Sequence, residues 1–141
     1  MLKKAAMAKQ ISITVTNKIG VLDIMARYLA ERGINIEAIS GFEIPGSDNA
    51  LITLVVDDTR HATEALKERE FGSIEINDVI VLELDNKPGA LQTITGFLAH
   101  KAINIRHIYA TTSRDTWYVK VILSTSDNTK AFIILRESVA E

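Results

Sequence analysis

The chain has 141 residues, a formal net charge of −2, three histidines and no cysteine. Its 47% apolar and 24% charged residues are typical of a globular protein and exclude a wholly disordered chain. The lack of cysteine excludes disulfides and thiolate metal sites, and the balanced charge gives no footprint for nucleic acid or an anionic membrane. No apolar run is long enough to span a bilayer, so we expect a soluble, cytoplasmic protein.

The chain repeats itself after 69 residues. Between residues 10–42 and 79–111, 11 of 33 positions are identical, whereas average composition alone would give roughly two. Further along, we align residues 48–57 with residues 115–124, which requires a turn shorter by two residues in the second copy. We therefore predict two copies of one unit, residues 9–77 and 78–141. The identities are concentrated in residues 17–22 with 86–91, residues 29–30 with 98–99, and residues 34–36 with 103–105.

The first copy predicts the element order β-α-β-β-α-β. Ile11, Ile13 and Val15 alternate with polar residues, as expected of a strand with one apolar face. A turn at residues 17–20 precedes apolar residues at helical spacing, and Gly33 lies where a left-handed residue would end that helix. The remaining predicted elements are a strand over residues 35–44, a strand over residues 50–57, a helix that begins at Thr59 or Arg60, and a strand over residues 73–76.

The second copy predicts the same elements but ends early. Ala102 stands at the position of Gly33, and a left-handed conformation there would cost about 1 kcal/mol or more. Nothing in the second copy matches residues 73–76. The predicted fold is α+β: two tandem ferredoxin-like βαββαβ units with antiparallel sheets and helices on one face, the second unit lacking its last strand.

The missing strand would leave residues 79–84 as an uncovered sheet edge, because the fourth strand of such a sheet flanks the first. This edge is apolar and rich in β-branched residues, and such edges invite another chain. We therefore expect a homodimer paired through edge strands or second strands. The alternative is internal: residues 2–7 could cover the edge, although Lys3 and Lys4 make this segment a poor strand.

No arrangement of side chains is typical of a catalytic or metal site. The histidines lack the spacing of a zinc site, no serine lies in a nucleophile elbow, and the acidic residues occur singly. Trp117 and Tyr118 are adjacent on a predicted strand and should point to opposite faces, so we expect no stacking platform for bases. The sequence therefore predicts no enzyme, no metal site and no cofactor.

Both copies place Asn-Lys-x-Gly between the first strand and the first helix. A helix start leaves N–H groups without intrahelical partners, and these groups favour a carboxylate. Gly20 and Gly89 would let a ligand approach closely, while Asn17 and Asn86 offer an amide that both donates and accepts. The plainer alternative is that the asparagines merely cap the helices. Because the turn occurs twice, each time followed by Ile-Asn-Ile, we favour a binding site.

The unit resembles the ACT domain, a small-molecule-binding regulatory module of amino-acid metabolism, and the pair resembles stand-alone tandem-ACT proteins. The motifs that carry the resemblance are residues 17–22 with 34–36 and residues 86–91 with 103–105. In that family the ligand, usually an amino acid, lies between the first turn of one unit and the second strand of its neighbour. The resemblance thus implies two sites: Asn17, Ile19, Gly20, Val21 and Leu22 with Asn104 and Ile105, and Asn86, Pro88, Gly89, Ala90 and Leu91 with Asn35 and Ile36.

Three classes of function remain open. The leading one is a regulatory module that binds an amino acid and acts on a partner enzyme of amino-acid metabolism. The alternative is a regulatory or structural subunit that works by protein contact and whose ligand turns are vestigial. An enzyme on a ferredoxin-like scaffold is less favoured, because residues 17–20 lack the arginine of an acylphosphatase.

Overall fold

The computed structural model describes residues 2–139. No helix in that range is long and apolar enough to cross a bilayer. The elements, in chain order, are β1 (Leu2–Thr16), α1 (Val21–Glu31), β2 (Ile36–Glu43), β3 (Asn49–Val56), α2 (Thr59–Glu68), β4 (Ser73–Asp85), α3 (Ala90–His100), β5 (Ile105–Thr111), β6 (Tyr118–Thr125) and α4 (Asn128–Glu137).

The residues form two compact units. The first unit consists of residues 9–77, and the second consists of residues 2–8 together with residues 78–139. Hydrogen-bonded strands follow the order β2-β3-β1-β4 in the first unit and β5-β6-β4-β1 in the second. The pairs β1–β3, β2–β3, β4–β6 and β5–β6 are antiparallel. This is the ferredoxin-like order, and the predicted fold class is confirmed.

The N-terminal residues supply the strand that the second copy lacks. β1 begins at Leu2 and lies beside β4. Leu2 is 1% exposed and belongs to the same apolar cluster as Ile80 and Leu82. Residues 79–84 are therefore not an open edge, and the internal alternative is the one that the structure shows.

Two ion pairs explain why the lysines tolerate a strand conformation. The Lys3 Nζ atom lies 3.6 Å from Asp85 Oδ1, and the Lys4 Nζ atom lies 3.8 Å from Glu83 Oε2. Each lysine thus finds a carboxylate on the neighbouring strand. Our view of this segment as a poor strand was wrong, because it considered the lysines without their partners on β4.

Each unit has its own apolar core between its helices and its sheet. The alternating residues predicted for the two first strands are buried in both copies. The helices contribute residues at helical spacing, as the sequence indicates. The largest fully buried side chains are Ile11, Ile13, Met25, Leu29, Leu54 and Leu66 in the first unit, and Leu2, Ile80, Leu82, Leu84, Ile94 and Leu98 in the second.

The strand registers correct our alignment of the third strands. Ile13 pairs with Ile52 in the first unit, and the equivalent Leu82 pairs with Val121 in the second. The offset of 69 residues therefore persists through the third strand, and the two preceding turns have equal length. A slip of two residues preserves the alternation of a strand, so the apolar pattern could not reveal the error.

The two copies end their first helix in the same backbone conformation. Gly33 has φ +71°, and Ala102 has φ +58°. The left-handed position inferred from Gly33 is thus confirmed, and Ala102 occupies it although its Cβ makes the conformation unfavourable.

We expect Ala102→Gly to raise the free energy of unfolding by about 1 kcal/mol, because it removes the left-handed strain and only part of this gain is lost to a more flexible unfolded chain. Gly33→Ala is the matched opposite and should lower the free energy of unfolding. An added Cβ there meets nothing within 4 Å, so the left-handed strain acts alone. Urea unfolding measures both variants. An Ala102→Gly protein no more stable than the parent would contradict the assignment.

The N-terminal strand can be tested at a single side chain. We expect Leu2→Ala to cost about 2 kcal/mol or more, because it opens a cavity in the core of the second unit. Met7→Ala is the control, since Met7 lies on the same strand and is 40% exposed. Thermal or urea unfolding measures the stability of both variants. Equally small losses of stability would show that Leu2 does not complete this core.

Candidate functional site

The two Asn-Lys-x-Gly turns have nearly the same backbone. Gly20 (φ 86°, ψ 0°) precedes α1, and Gly89 (φ 86°, ψ −11°) precedes α3; neither helix start has a side-chain cap. A Cβ on either glycine would meet no atom within 4 Å. The left-handed backbone, rather than crowding, therefore requires glycine, and the space beside each turn is open.

Each turn leaves backbone amides available at a helix start. In α1 the Val21 amide donates to Lys18 O at 3.3 Å, and in α3 the Ala90 amide donates to Lys87 O at 3.3 Å. The next two amides of each helix come too early to reach a carbonyl of their own helix. They and the positive end of the helix dipole form the anion-attracting feature that the sequence predicts.

The asparagines do not cap their helices. The Asn17 Nδ2 atom donates to Glu43 Oε1 at 3.0 Å, at the end of β2. The Asn86 Nδ2 atom donates to Thr116 O at 2.9 Å and to Ser113 O at 3.3 Å. Each side chain ties its turn to the next hairpin of the same unit, so the capping interpretation was wrong. The sequence carries no signal for these partners, because they are distant in the chain.

The surroundings of the two turns differ in charge. The offset of 69 residues places Gln92 where the first copy has Asp23, Thr112 where it has Glu43, and Trp117 where it has Asp48. The carboxylate of Asp23 is partly neutralised by Arg27, whose Nη2 atom lies 2.9 Å away. The second turn in its place follows Asp85, where the first copy has Thr16, but Asp85 pairs with Lys3 at 3.6 Å and with Lys87 at 3.7 Å. A carboxylate ligand would therefore still meet less repulsion at the turn of the second unit.

Trp117 is an exposed aromatic residue beside the turn of the second unit. The residue is 69% exposed, and its backbone oxygen accepts a hydrogen bond from the backbone N–H of Asn86 at 3.0 Å. Its ring lies 5.1 Å from that of Tyr118, at an interplanar angle of 59°. Our expectation of two rings on opposite faces was wrong, because β6 begins only at Tyr118 and Trp117 belongs to the preceding turn.

The other residues of the implied sites differ in exposure. Ile19, Leu22, Pro88 and Leu91 are exposed around the turns, whereas Ala90 is buried in the core of the second unit. The backbone amides of Asn35 and Asn104 donate to Asp57 Oδ1 at 2.9 Å and to Ser126 Oγ at 3.0 Å, which fastens the start of each second strand. Val21, Ile36 and Ile105 are partly buried and pack against the core of their own unit. The pairing of each turn with the other unit's second strand stays a prediction.

Comparisons with known proteins agree with this fold. The model for the AHAS small subunit-like ACT domain matches residues 11–71, and the model for the ACT domain matches residues 79–130. A protein from Bacteroides thetaiotaomicron with a crystal structure is 31% identical, with 95% of this chain and 90% of that chain covered and a TM-score of 0.86. The fold and these matches define a tandem pair of small α+β domains. The chain belongs to the ACT domain family.

More distant structures share the fold over the whole chain. The regulatory subunit of aspartate kinase from Thermus thermophilus is 19% identical, with 99% of each chain covered and a TM-score of 0.71. The regulatory subunit of aspartate kinase from Thermus flavus is 20% identical, with 97% of each chain covered and a TM-score of 0.67. No curated protein sequence matches the chain.

Proposed function

We propose that this protein is a cytoplasmic regulatory protein that binds an amino acid and acts on an enzyme of amino-acid metabolism, without catalysing a reaction itself. The observation that carries the proposal is the left-handed glycine turn with available helix amides, present twice in a chain of the ACT family. Regulatory subunits of aspartate kinase share the fold over their full length, which supports a regulated enzyme as the partner class.

The proposed binding mode follows from the turn. The carboxylate of the amino acid accepts hydrogen bonds from the free amides at the helix start, where the dipole is positive. Gly89 leaves the approach open, and the neutral neighbours Gln92 and Thr112 favour the second unit as the stronger site. The exposed Leu91 and Trp117 offer apolar surface for the ligand's side chain. Asn35 and Ile36 complete this site in the proposal, and Asn104 and Ile105 complete that of the first unit.

Ligand binding is measurable as added stability. An amino acid at about 100 times its Kd adds about 2.7 kcal/mol per site, which raises the melting temperature by several degrees in a chain of this size. We expect one member of a panel of all common amino acids to do so, and Gly89→Val to lose most of the shift because it fills the approach to the stronger site.

Gly46→Val is the matched control, since Gly46 is also left-handed with open space but lies in the turn between β2 and β3. Circular dichroism first establishes that each variant is folded. A flat response of the folded parent to every amino acid would favour the contact-only subunit. A wild-type response of folded Gly89→Val would move the stronger site away from that turn.

We also propose a homodimer formed through the outer strands. β2 and β5 are the terminal strands in the order of hydrogen-bonded neighbours, and each carries an exposed isoleucine, Ile39 and Ile108. A row of unpaired backbone groups flanked by apolar side chains invites strand pairing about a two-fold axis.

The oligomeric state tests this proposal directly. We expect light scattering behind size exclusion to show a dimer at tens of micromolar, and Ile39→Lys or Ile108→Lys to weaken it, because a charge on the pairing edge repels its symmetry mate. Ile133→Lys, on an exposed position of α4, is the control. A monomeric parent protein would refute the dimer.

A further inference from the structure

A cavity in the first unit is lined on one side by Lys18 and Val21, which flank the turn glycine Gly20. It has a volume of about 310 Å³ and lies between the start of α1 and the connection from α2 to β4. One part of its lining is apolar and another part is charged, which is the usual composition of a small-ligand site. The lining residues that matter below are Lys18, Val21, Ile24, Arg69, Glu70 and Phe71.

Aromatic rings hold the guanidinium of Arg69 in place. The Arg69 Cζ atom lies 5.1 Å from the ring centroid of Tyr28 and 5.9 Å from that of Phe71. The two rings contact each other edge to face, with centroids 5.9 Å apart. Cation–π contacts position a guanidinium without using its N–H donors. The donors of Arg69 therefore remain available to a ligand.

The two arginines around Tyr28 have different partners. The Arg32 Cζ atom lies 3.5 Å from the centroid of the same ring, and Arg32 Nη2 lies 3.7 Å from Glu68 Oε2. Glu68 also accepts a hydrogen bond from the Tyr28 phenol at 3.0 Å; burial raises the pKa of this phenol and the hydrogen bond raises it further, so it stays protonated. Glu68 thus compensates Arg32, while Arg69 has no carboxylate within 4.0 Å among the residues that the structure describes.

The connection that carries Arg69 and Glu70 is held firmly. Glu70 has φ +51°, a left-handed conformation that favours glycine. Two residues later, a Cβ on Gly72 would collide with the carbonyl oxygen of Thr14, so the connection is packed directly on β1. Glu70 is the acidic residue of the cavity lining and faces the same space as Lys18 and Arg69.

We propose that this cavity binds a small α-amino acid with an apolar side chain. The carboxylate binds Arg69 and Lys18, the ammonium group binds Glu70, and the hydrocarbon lies against Val21, Ile24 and Phe71. The inference rests on the proposed function for its ligand class; it differs from the turn site of the first unit in that Arg69 and Glu70, on the connection between α2 and β4, bind the charged groups. The second unit has no counterpart, because the offset of 69 residues places Ser138 and Val139 at the positions of Arg69 and Glu70.

Three probes separate the contributions of the ligand's groups. They are L-leucine, 4-methylpentanoate, which lacks the ammonium group, and 3-methylbutylamine, which lacks the carboxylate. The signal is the NMR shift of the Ile24 methyl group, since Ile24 lines the cavity. We expect L-leucine to bind most tightly, 4-methylpentanoate more weakly, and the amine weakest by about tenfold or more. No Ile24 shift with any probe at millimolar concentration would overturn the proposal.

Variants locate the site. We expect Arg69→Gln to weaken L-leucine binding by about tenfold or more, and Arg136→Gln to leave it unchanged. Arg136 is the matched control because its Cζ atom lies 6.0 Å from the Phe132 ring in the second unit. Glu70→Gly should raise the melting temperature and still weaken L-leucine binding, a split that a purely structural role would not produce.

The turn sites are distinguished by Gly20→Val and Gly89→Val. If L-leucine still shifts the Ile24 methyl group in both variants but not in Arg69→Gln, the cavity is a site in its own right, whatever the turns bind. If Gly89→Val loses the entire thermal response while the Ile24 methyl group never moves in the parent protein, the turn proposal survives and the cavity proposal fails.

Discussion

The second unit depends on the pairing of residues 2–8 with the second half of β4. Residues 78–139 alone supply three strands, and the core of this unit includes Leu2 among its buried side chains. The segment that completes it comes from the opposite end of the chain. Such a distant contact adds little further cost, because the entropic cost of closing a loop grows only slowly with loop length. The ion pairs of Lys3 and Lys4 with β4 then favour this pairing over others.

Much of the fold was predictable because each unit repeats a clear periodicity. The alternation of Ile11, Ile13 and Val15 and the left-handed stop at Gly33 are local signals, and both reappear in the second copy. The choice between an internal strand and a second chain was not predictable, since Lys3 is unfavourable until Asp85 is placed opposite it. Our alignment of the third strands was wrong by two residues for a related reason. Alternation determines which face of the sheet a residue lies on, but it does not determine the register.

The geometry of the two turns was predictable to the same local extent. Gly20 and Gly89 could be recognised because an Asn-Lys-x-Gly turn before a helix leaves both amides and space. The hydrogen bonds of the Asn17 and Asn86 side chains could not be predicted, because their partners lie on the next hairpin of each unit. The arginine-bearing cavity was missed as well, since the contacts of Arg69 with two rings arise only when α1 and the α2–β4 connection pack together.

The two copies have kept one backbone and diverged in charge. Around the first turn, Asp23 and Glu43 are engaged by Arg27 and Asn17, so these carboxylates are partly satisfied but still weaken the attraction of a helix start for an anion. The same unit carries Arg69, which has no ion pair among the residues that the structure describes and stands where the second copy has Ser138. Our proposals therefore place the strongest attraction for an anion at Arg69 in the first unit and at the helix start in the second. Identical turns therefore do not imply identical ligands.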